Sequence, residues 1–191
     1  MGGPGRPRSK AARSAVLRAA LEIVQESGYP VLTMEGIARR AAVSKQTVYR
    51  WWPSKAAVLL EALNEGATEI APLPDTGDLA DDLRAFLRRS TLGARGRTAR
   101  LLVALMAEAQ LYPAFGRSFQ TGFLAQRRAV MVELLQRART RGEIRSDVDL
   151  ELVTELFFGA LWYRLLAGSG TLDRRFADQI TDLLLRLVAE A

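Results

Sequence analysis

Cysteine and histidine are both absent from the 191 residues of this chain. Their absence excludes disulfides, thiolate and imidazole metal sites, cysteine nucleophiles and every catalytic scheme that uses an imidazole base. Only an all-carboxylate metal site is compatible with the composition, and nothing in the sequence indicates one. The chain also lacks a Gly-x-Ser-x-Gly nucleophile elbow and a phosphate-binding Gly-Lys-Ser/Thr loop. We therefore expect no catalytic residues, no metal and no cofactor.

Long apolar runs are missing as well. The longest one, Leu156–Tyr163, is far shorter than the roughly 20 residues that a membrane-spanning helix needs. The basic N-terminus is not followed by the apolar segment of a secretory signal. These absences predict a soluble protein in the cytoplasm.

The basic residues are distributed unevenly along the chain. Residues 1–60 contain ten Lys and Arg against three Glu, whereas residues 61–191 contain 17 basic and 18 acidic residues. The whole net charge of +6 therefore comes from the first third of the chain. A basic module joined to a nearly neutral body indicates a reader of polyanions attached to a second function.

The periodicity predicts an all-α fold of about nine helices. No long segment alternates with period two, and glycine and proline fall between apolar runs of helical spacing. We expect a mobile basic arm over residues 1–10, a three-helix DNA-binding domain over 11–57 and a helical ligand-binding and dimerisation domain over 58–191. The expected helices are 9–27, 33–41, 44–52, 54–67, 79–92, 97–111, 113–141, 149–167 and 173–189.

Residues 33–52 have the pattern of a helix-turn-helix. Thr33 and Ser44 are suited to cap the two helices, and the turn passes through Ala42 and Val43. Val48 and Trp52 are one helical turn apart and should face the core, so that the opposite face of the second helix is polar. Such a helix can enter the major groove of DNA, which is about 12 Å wide.

The side chains on and beside that polar face suit DNA contacts. Gln46 can pair with an adenine edge, and Arg50 can bind guanine or phosphate with two hydrogen bonds. The hydroxyls of Thr47 and Tyr49 can reach phosphates, and the amides at Ser44 favour an anion. The candidate DNA-binding residues are Thr33, Ser44, Lys45, Gln46, Thr47, Tyr49, Arg50, Trp51 and Lys55.

The segment LTMEGIARRAAVSKQTVYRWWPSKAAVLLEAL, residues 32–63, resembles the DNA-binding half of TetR-family transcriptional regulators. The resemblance covers about residues 10–65. It implies a homodimeric repressor that a small molecule releases from DNA. It also implies that Lys45, Gln46, Thr47, Tyr49 and Trp51 contact the groove and backbone, with Lys55 on a phosphate. The helical wheel favours Arg50 where the family pattern favours Trp51, and we keep both.

Two further features accompany the motif. Ala42 stands where the family commonly has glycine, so a positive φ there would strain the turn modestly. The arm residues Arg6 and Arg8 resemble short arms that lie in narrow minor grooves, where the negative potential is enhanced. A disordered solubilising tail is an equally good interpretation of so short a segment.

The last two helices are the expected dimer interface. The helix of residues 149–167 is apolar nearly all round from Leu156 onward, which predicts burial on every side. We expect a two-fold four-helix contact that places the recognition helices about 34–36 Å apart on a near-palindromic operator. The alternative is an internal core helix of a monomer. The predicted contact residues are Leu156, Gly159, Ala160, Tyr163, Ile180, Leu184 and Leu187.

The sequence also predicts a pocket for an apolar or aromatic effector, with an ordinary core as the alternative, because apolar helical spacing describes both. Its candidate walls are Phe86, Leu105, Met106, Phe119, Phe123, Phe158 and Trp162. Glu108 and Gln110 are either polar anchors or solvent-exposed. The leading function is a ligand-responsive transcriptional repressor. The alternatives are an architectural DNA binder without an effector and an all-α enzyme.

Overall fold

The computed structural model describes residues 10–68 and 73–189. The described residues fall into two compact units, one made of residues 10–68 with 104–119 and the other of residues 73–103 with 120–189. The arm residues Arg6 and Arg8 lie outside the described residues. Within the described part of the chain, every helix is too short or too polar to cross a membrane.

The first unit is built around the DNA-binding motif. It contains α1 (Lys10–Ser27), a short 3₁₀ turn (Tyr29–Val31), α2 (Met34–Arg40), α3 (Lys45–Trp51) and α4 (Lys55–Thr68). Helix α1 packs against both α2 and α4. Their apolar stripes meet in a core whose most deeply buried members include Val16, Ala20, Ile37, Val48 and Leu59.

Side-chain caps begin the helices of this unit. The hydroxyl of Thr33 accepts a hydrogen bond from the amide of Gly36 (3.0 Å), and the Ser44 hydroxyl accepts one from the amide of Thr47 (3.1 Å). Ser54 does the same for Ala57 (3.2 Å). Each cap pairs an amide that the first helical turn would otherwise leave without a partner.

The turn between α2 and α3 is a Schellman motif. The amide of Val43 donates to the carbonyl of Ala38 (3.0 Å), and that of Ala42 donates to the carbonyl of Arg39 (3.3 Å). Ala42 has φ +53°, and it is the one non-glycine residue of the described chain with a positive φ. Here the sequence places a Cβ in a backbone conformation that favours glycine.

The second unit contains α5 (Leu79–Gly93), the start of α6 (Gly96–Leu111), α8 (Ala125–Thr140), α9 (Leu150–Ala167) and α10 (Arg174–Val188). Helix α5 packs against α10 and α8, and α8 packs against α9. Leu83, Leu87, Leu135, Phe157 and Val188 are buried at the centre of this core. Asp78, Asp149 and Asp173 cap α5, α9 and α10 with their carboxylates.

The stretch 113–140 is helical throughout but not uniform. It begins with α7 (Pro113–Ser118), continues as a π-helical segment (Phe119–Leu124) and ends with α8. Taken as one helix, it makes nine helices within the described residues, besides the 3₁₀ turn, and those residues contain no strand. The all-α fold class is therefore confirmed.

The expected boundary between residues 57 and 58 falls inside α4, which is continuous from Lys55 to Thr68. Because α4 packs along α1, it belongs with the DNA-binding helices rather than with the second unit. The second unit begins after α4, and residues 104–119 belong to the first unit. The division of the chain thus follows helix packing rather than the end of the helix-turn-helix.

Candidate nucleic-acid interface

Helix α3 is held in place by its inner face. Val48 is fully buried and Trp52, which ends the helix, is 3% exposed. The indole of Trp52 also donates to the carboxylate of Glu61 (2.8 Å). Because both anchors lie on one side of a helix of two turns, its opposite side is presented outward.

The outward side carries the predicted DNA-contacting side chains. Lys45, Gln46 and Arg50 are exposed, and so is the ring of Tyr49. A long cation, an amide and a guanidinium on one helix face supply donors for phosphates and for base edges. The structure thus brings these four candidates together on one surface.

Two other candidates are more constrained. Thr47 is half-buried, and its hydroxyl lies 2.8 Å from that of Ser44. Trp51 is also half-buried, with its ring edge-on to Trp52 at a centroid distance of 5.4 Å. The Arg50 guanidinium lies 5.9 Å from the centre of the Trp51 ring. Arg50 and Trp51 are therefore neighbours on α3, and both are at least partly exposed.

Glu35 of α2 contacts two side chains of this surface, Lys45 and Tyr49. These contacts were not predicted from the sequence. Its carboxylate lies 2.5 Å from the Lys45 ammonium and 3.4 Å from the Tyr49 hydroxyl, which donates to it. The hydrogen bond from Lys45 lowers the pKa of Glu35, and the same contact raises the pKa of Lys45. Glu35 and Lys45 are ten positions apart and lie on different helices. The spacing of residues within one helix therefore could not predict their contact.

Lys55 is less available than expected. Its ammonium donates to the backbone carbonyl of Tyr29 (3.2 Å) and lies 4.3 Å from the centre of the Tyr29 ring. Lys55, which was predicted to contact a phosphate, thus also links α4 to the 3₁₀ turn. An ammonium has three donors, so one contact of this kind leaves capacity for a phosphate.

Glu108 is neither simply exposed nor a free polar anchor. It accepts a hydrogen bond of 2.7 Å from the Tyr29 hydroxyl, within the first unit. Burial, and then this bond, raise the pKa of Tyr29 above its ordinary value. This contact ties the loop before the helix-turn-helix to α6.

The predicted pocket residues are divided between the two units. Phe86, Phe123, Phe158 and Trp162 belong to the second unit, whereas Leu105, Met106 and Phe119 belong to the first. In the second unit the Phe157 ring packs against Phe86 (6.4 Å between centroids) and Phe158 (4.9 Å). Phe86 and Phe157 are core residues, whereas Phe158 and Trp162 are only half-buried.

Each of the last two helices carries exposed apolar side chains. On α9, Leu156, Gly159 and Tyr163 are exposed, with Tyr163 at 66%, and Leu152 and Leu166 extend the same face. Helix α9 is therefore not buried on every side within one chain, because its core side chains, such as Val153, Phe157 and Leu161, lie on the opposite side. On α10, Leu187 is exposed. Ala160 and Ile180 are half-buried.

Leu184 lies in the core of its own chain and not at the surface where the dimer prediction placed it. It is 1% exposed and belongs to the core of its own unit, whereas the neighbouring Leu183 is 54% exposed. Packing of α10 on α5 turns Leu184 inward with Phe176, Thr181 and Val188. The outward position that the sequence analysis gave to Leu184 is occupied by Leu183.

A capped helix-turn-helix with a polar outer face, followed by an all-helical body, defines a DNA-binding regulatory protein. Residues 16–62 match the family described as bacterial regulatory proteins, tetR family, and residues 73–184 match the tetracyclin repressor-like C-terminal domain. The chain belongs to the TetR family of transcriptional regulators, which are not enzymes.

Individual relatives agree with this assignment. The chain is 34% identical over 162 residues to the uncharacterized HTH-type transcriptional regulator YdeS of Bacillus subtilis, covering 85% of this chain and 82% of that protein. It is 31% identical over 188 residues to the DNA-binding transcriptional repressor TetR of Mycobacteroides abscessus, covering 93% and 94% of the two chains.

Solved structures share the fold. The crystal structure of the TetR-family transcription regulator SCO0332 has 35% identity and a TM-score of 0.81, covering 95% of this chain and all of that one. Thermus thermophilus FadR, solved in complex with lauroyl-CoA, has 26% identity and a TM-score of 0.68, covering 94% and 97%.

Proposed function

We propose that this regulator is a homodimeric repressor that reads a near-palindromic operator with α3 and leaves it when a small molecule binds the second unit. The observation that carries the proposal is the joint exposure of Lys45, Gln46, Tyr49 and Arg50 opposite the buried Val48. The polar atoms of Gln46 match an adenine edge, and the guanidinium of Arg50 matches guanine or phosphate. We expect the protein in the cytoplasm, with the DNA it regulates.

The division of labour on α3 follows from chemistry. Gln46 is exposed, and its side chain is short, so that the helix restricts where its amide can reach. It therefore suits base readout. Lys45, Thr47 and Tyr49 suit the phosphate backbone, which fixes register but carries no sequence information. Trp51 adds an apolar surface beside Arg50.

The exposed apolar side chains on α9 and on α10 support the dimer. Leu156, Tyr163, Leu183 and Leu187 are each at least 44% exposed in the single chain, on two consecutive helices. Four large exposed apolar side chains favour burial against a second copy of the chain. A two-fold contact would use the same residues on both chains. A methyl group added to Gly159 would meet only open space within its own chain, so a partner helix could approach closely there.

Relatives support the repressor and effector parts. A repressor is among the proteins similar over nearly the whole chain, and a structural neighbour was solved with an acyl-CoA. The half-buried aromatic side chains of Phe158 and Trp162 are the second unit's candidates for contact with an apolar or aromatic effector.

Selection of bound sites from a random duplex pool at about 150 mM salt tests the operator proposal, because non-specific binding is already reduced there. We expect an enriched near-palindrome whose half-sites are about one helical turn or a small multiple apart. Binding without any enriched sequence would instead favour the architectural DNA binder. Light scattering on the same sample measures whether the chain is a dimer.

The effector proposal needs its own test. A panel of fatty acyl-CoAs and aromatic compounds would be added to the protein on its selected site. We expect one chemical class to dissociate the complex and to raise the melting temperature of the protein. Compounds that raise the melting temperature without dissociating the complex would contradict the proposed release.

A further inference from the structure

Glu35 is an acidic side chain that contacts the candidate DNA-reading surface of α3, through Lys45 and Tyr49. It lies in the first turn of α2, two residues after the Thr33 cap. Its carboxylate reaches across to the first residue of α3, Lys45, at 2.5 Å, and to Tyr49 one turn later at 3.4 Å. The Lys45 ammonium lies 5.6 Å from the centre of the Tyr49 ring, so the three side chains form one cluster.

The cluster is open to solvent. The side chains of Glu35 and Lys45 are 48% and 59% exposed. An exposed ion pair is weak and exchanges easily for other partners, since water already screens it. Lys45 can therefore leave Glu35 for a phosphate at little cost, and the pair serves poorly as a structural clamp.

Duplex DNA carries about one negative charge per 1.7 Å of helix axis. A phosphate that approaches Lys45 must either displace Glu35 or share the ammonium with it. In both arrangements the pairing with Glu35 takes up part of the attraction that Lys45 offers to the phosphate, which weakens binding wherever base contacts do not compensate.

We propose that Glu35 is a specificity-determining residue of the DNA interface: by pairing with Lys45 and Tyr49, it weakens sequence-independent attraction to phosphates, so that tight binding requires the base contacts of α3. This inference depends on the proposed operator-binding function. It assigns the specificity role to a residue outside the recognition helix.

The test compares wild type with Glu35→Gln on random duplex and on the selected site, by fluorescence anisotropy at salt concentrations from about 50 to about 300 mM, where phosphate contacts dominate the salt dependence. We expect Glu35→Gln to bind random duplex about two- to fivefold more tightly at low salt, the range expected on release of one exposed ion pair. The salt slope should steepen by about 0.9 for each Lys45 that gains a phosphate. Affinity for the selected site should change less, so that the ratio of specific to random binding falls.

The matched control is Glu26→Gln. It removes the same charge from the same unit and also breaks an exposed ion pair, since Glu26 pairs with Arg40 at 2.7 Å. Arg40 is not on α3, so this variant reports the combined effect of the net charge and of one ion pair broken away from that helix. A double-mutant cycle adds Lys45→Ala, in whose background Glu35→Gln should have little further effect on random duplex. Circular dichroism and melting temperature confirm that each variant is folded.

Three results would overturn the inference: no tighter binding by Glu35→Gln, an equal gain with Glu26→Gln, or a full gain in the Lys45→Ala background. If the wild type binds duplex without preferring any site, the operator function and this inference both fail. If the wild type prefers a site that Glu35→Gln reads with the same ratio, only the inference fails.

Discussion

Replacing Ala42 by glycine should stabilise the first unit. Ala42 occupies the left-handed position of the Schellman turn between α2 and α3, with φ +53°. A residue with a Cβ loses about 1–2 kcal/mol in this conformation, because Cβ approaches the following carbonyl oxygen. Glycine avoids that contact but loses more chain entropy on folding, worth about 0.4–1 kcal/mol. The difference between the two effects is about 0–1.6 kcal/mol in favour of glycine, with a midpoint of about 0.8 kcal/mol.

Chemical denaturation monitored by circular dichroism measures the difference, because a change in midpoint at constant slope reports stability. The neighbouring Ala41→Gly is the matched control. Ala41 has φ −78°, in the right-handed region that alanine readily adopts, so glycine there should destabilise the protein. Ala42 is exposed, and its side chain belongs to no proposed DNA contact. Operator affinity should therefore stay the same. Equal destabilisation by the two variants would refute the argument from backbone strain.

Three further sets of variants test the remaining parts of the structure. Gln46→Ala should lower discrimination at one base pair by about 1–3 kcal/mol, whereas Lys55→Ala should weaken all sequences alike and also lower stability; equal losses by Gln46→Ala on operator and random duplex would contradict base readout. Leu183→Glu should yield a folded monomer by light scattering, whereas Leu184→Glu should unfold the chain, because only Leu184 is in the core; a dimeric Leu183→Glu variant would exclude the α10 contact. Arg88 holds the pKa of Asp178 below its ordinary value, so the carboxylate stabilises the fold at neutral pH and loses that effect as acid protonates it. Asp178→Asn should therefore lower the denaturation midpoint at about pH 7 but barely change it near pH 2, and an equal loss at both values would rule out the ion pair as the cause.

Much of the DNA-binding unit could be predicted because its determinants are local. The caps at Thr33 and Ser44 act on amides three residues away, and Val48 and Trp52 share a face through helical periodicity alone. The strain at Ala42 could be anticipated from the family resemblance, because the family commonly has glycine at this position of the turn. Each of these features depends on residues within about one helical turn.

The predictions that changed concern choices between neighbouring side chains. Residues 183–185 are three consecutive leucines, so periodicity cannot decide which of them enters the core. Packing of α10 on α5 selects Leu184 and leaves Leu183 outside. The expected uniform helix of residues 113–141 contains a π-helical segment, which includes Gly122 but no proline.

Composition and short-range spacing are enough to predict the helical segments, the caps at Thr33 and Ser44, the basic charge of the first third and the polar face of α3. Contacts between distant side chains depend instead on how the helices pack: Glu35 with Lys45, Tyr29 with Lys55 and Glu108, and Leu184 with the core of its own unit. Helix packing sets these contacts, because a rotation or shift of one helix changes every partner on its surface while leaving its own periodicity unchanged.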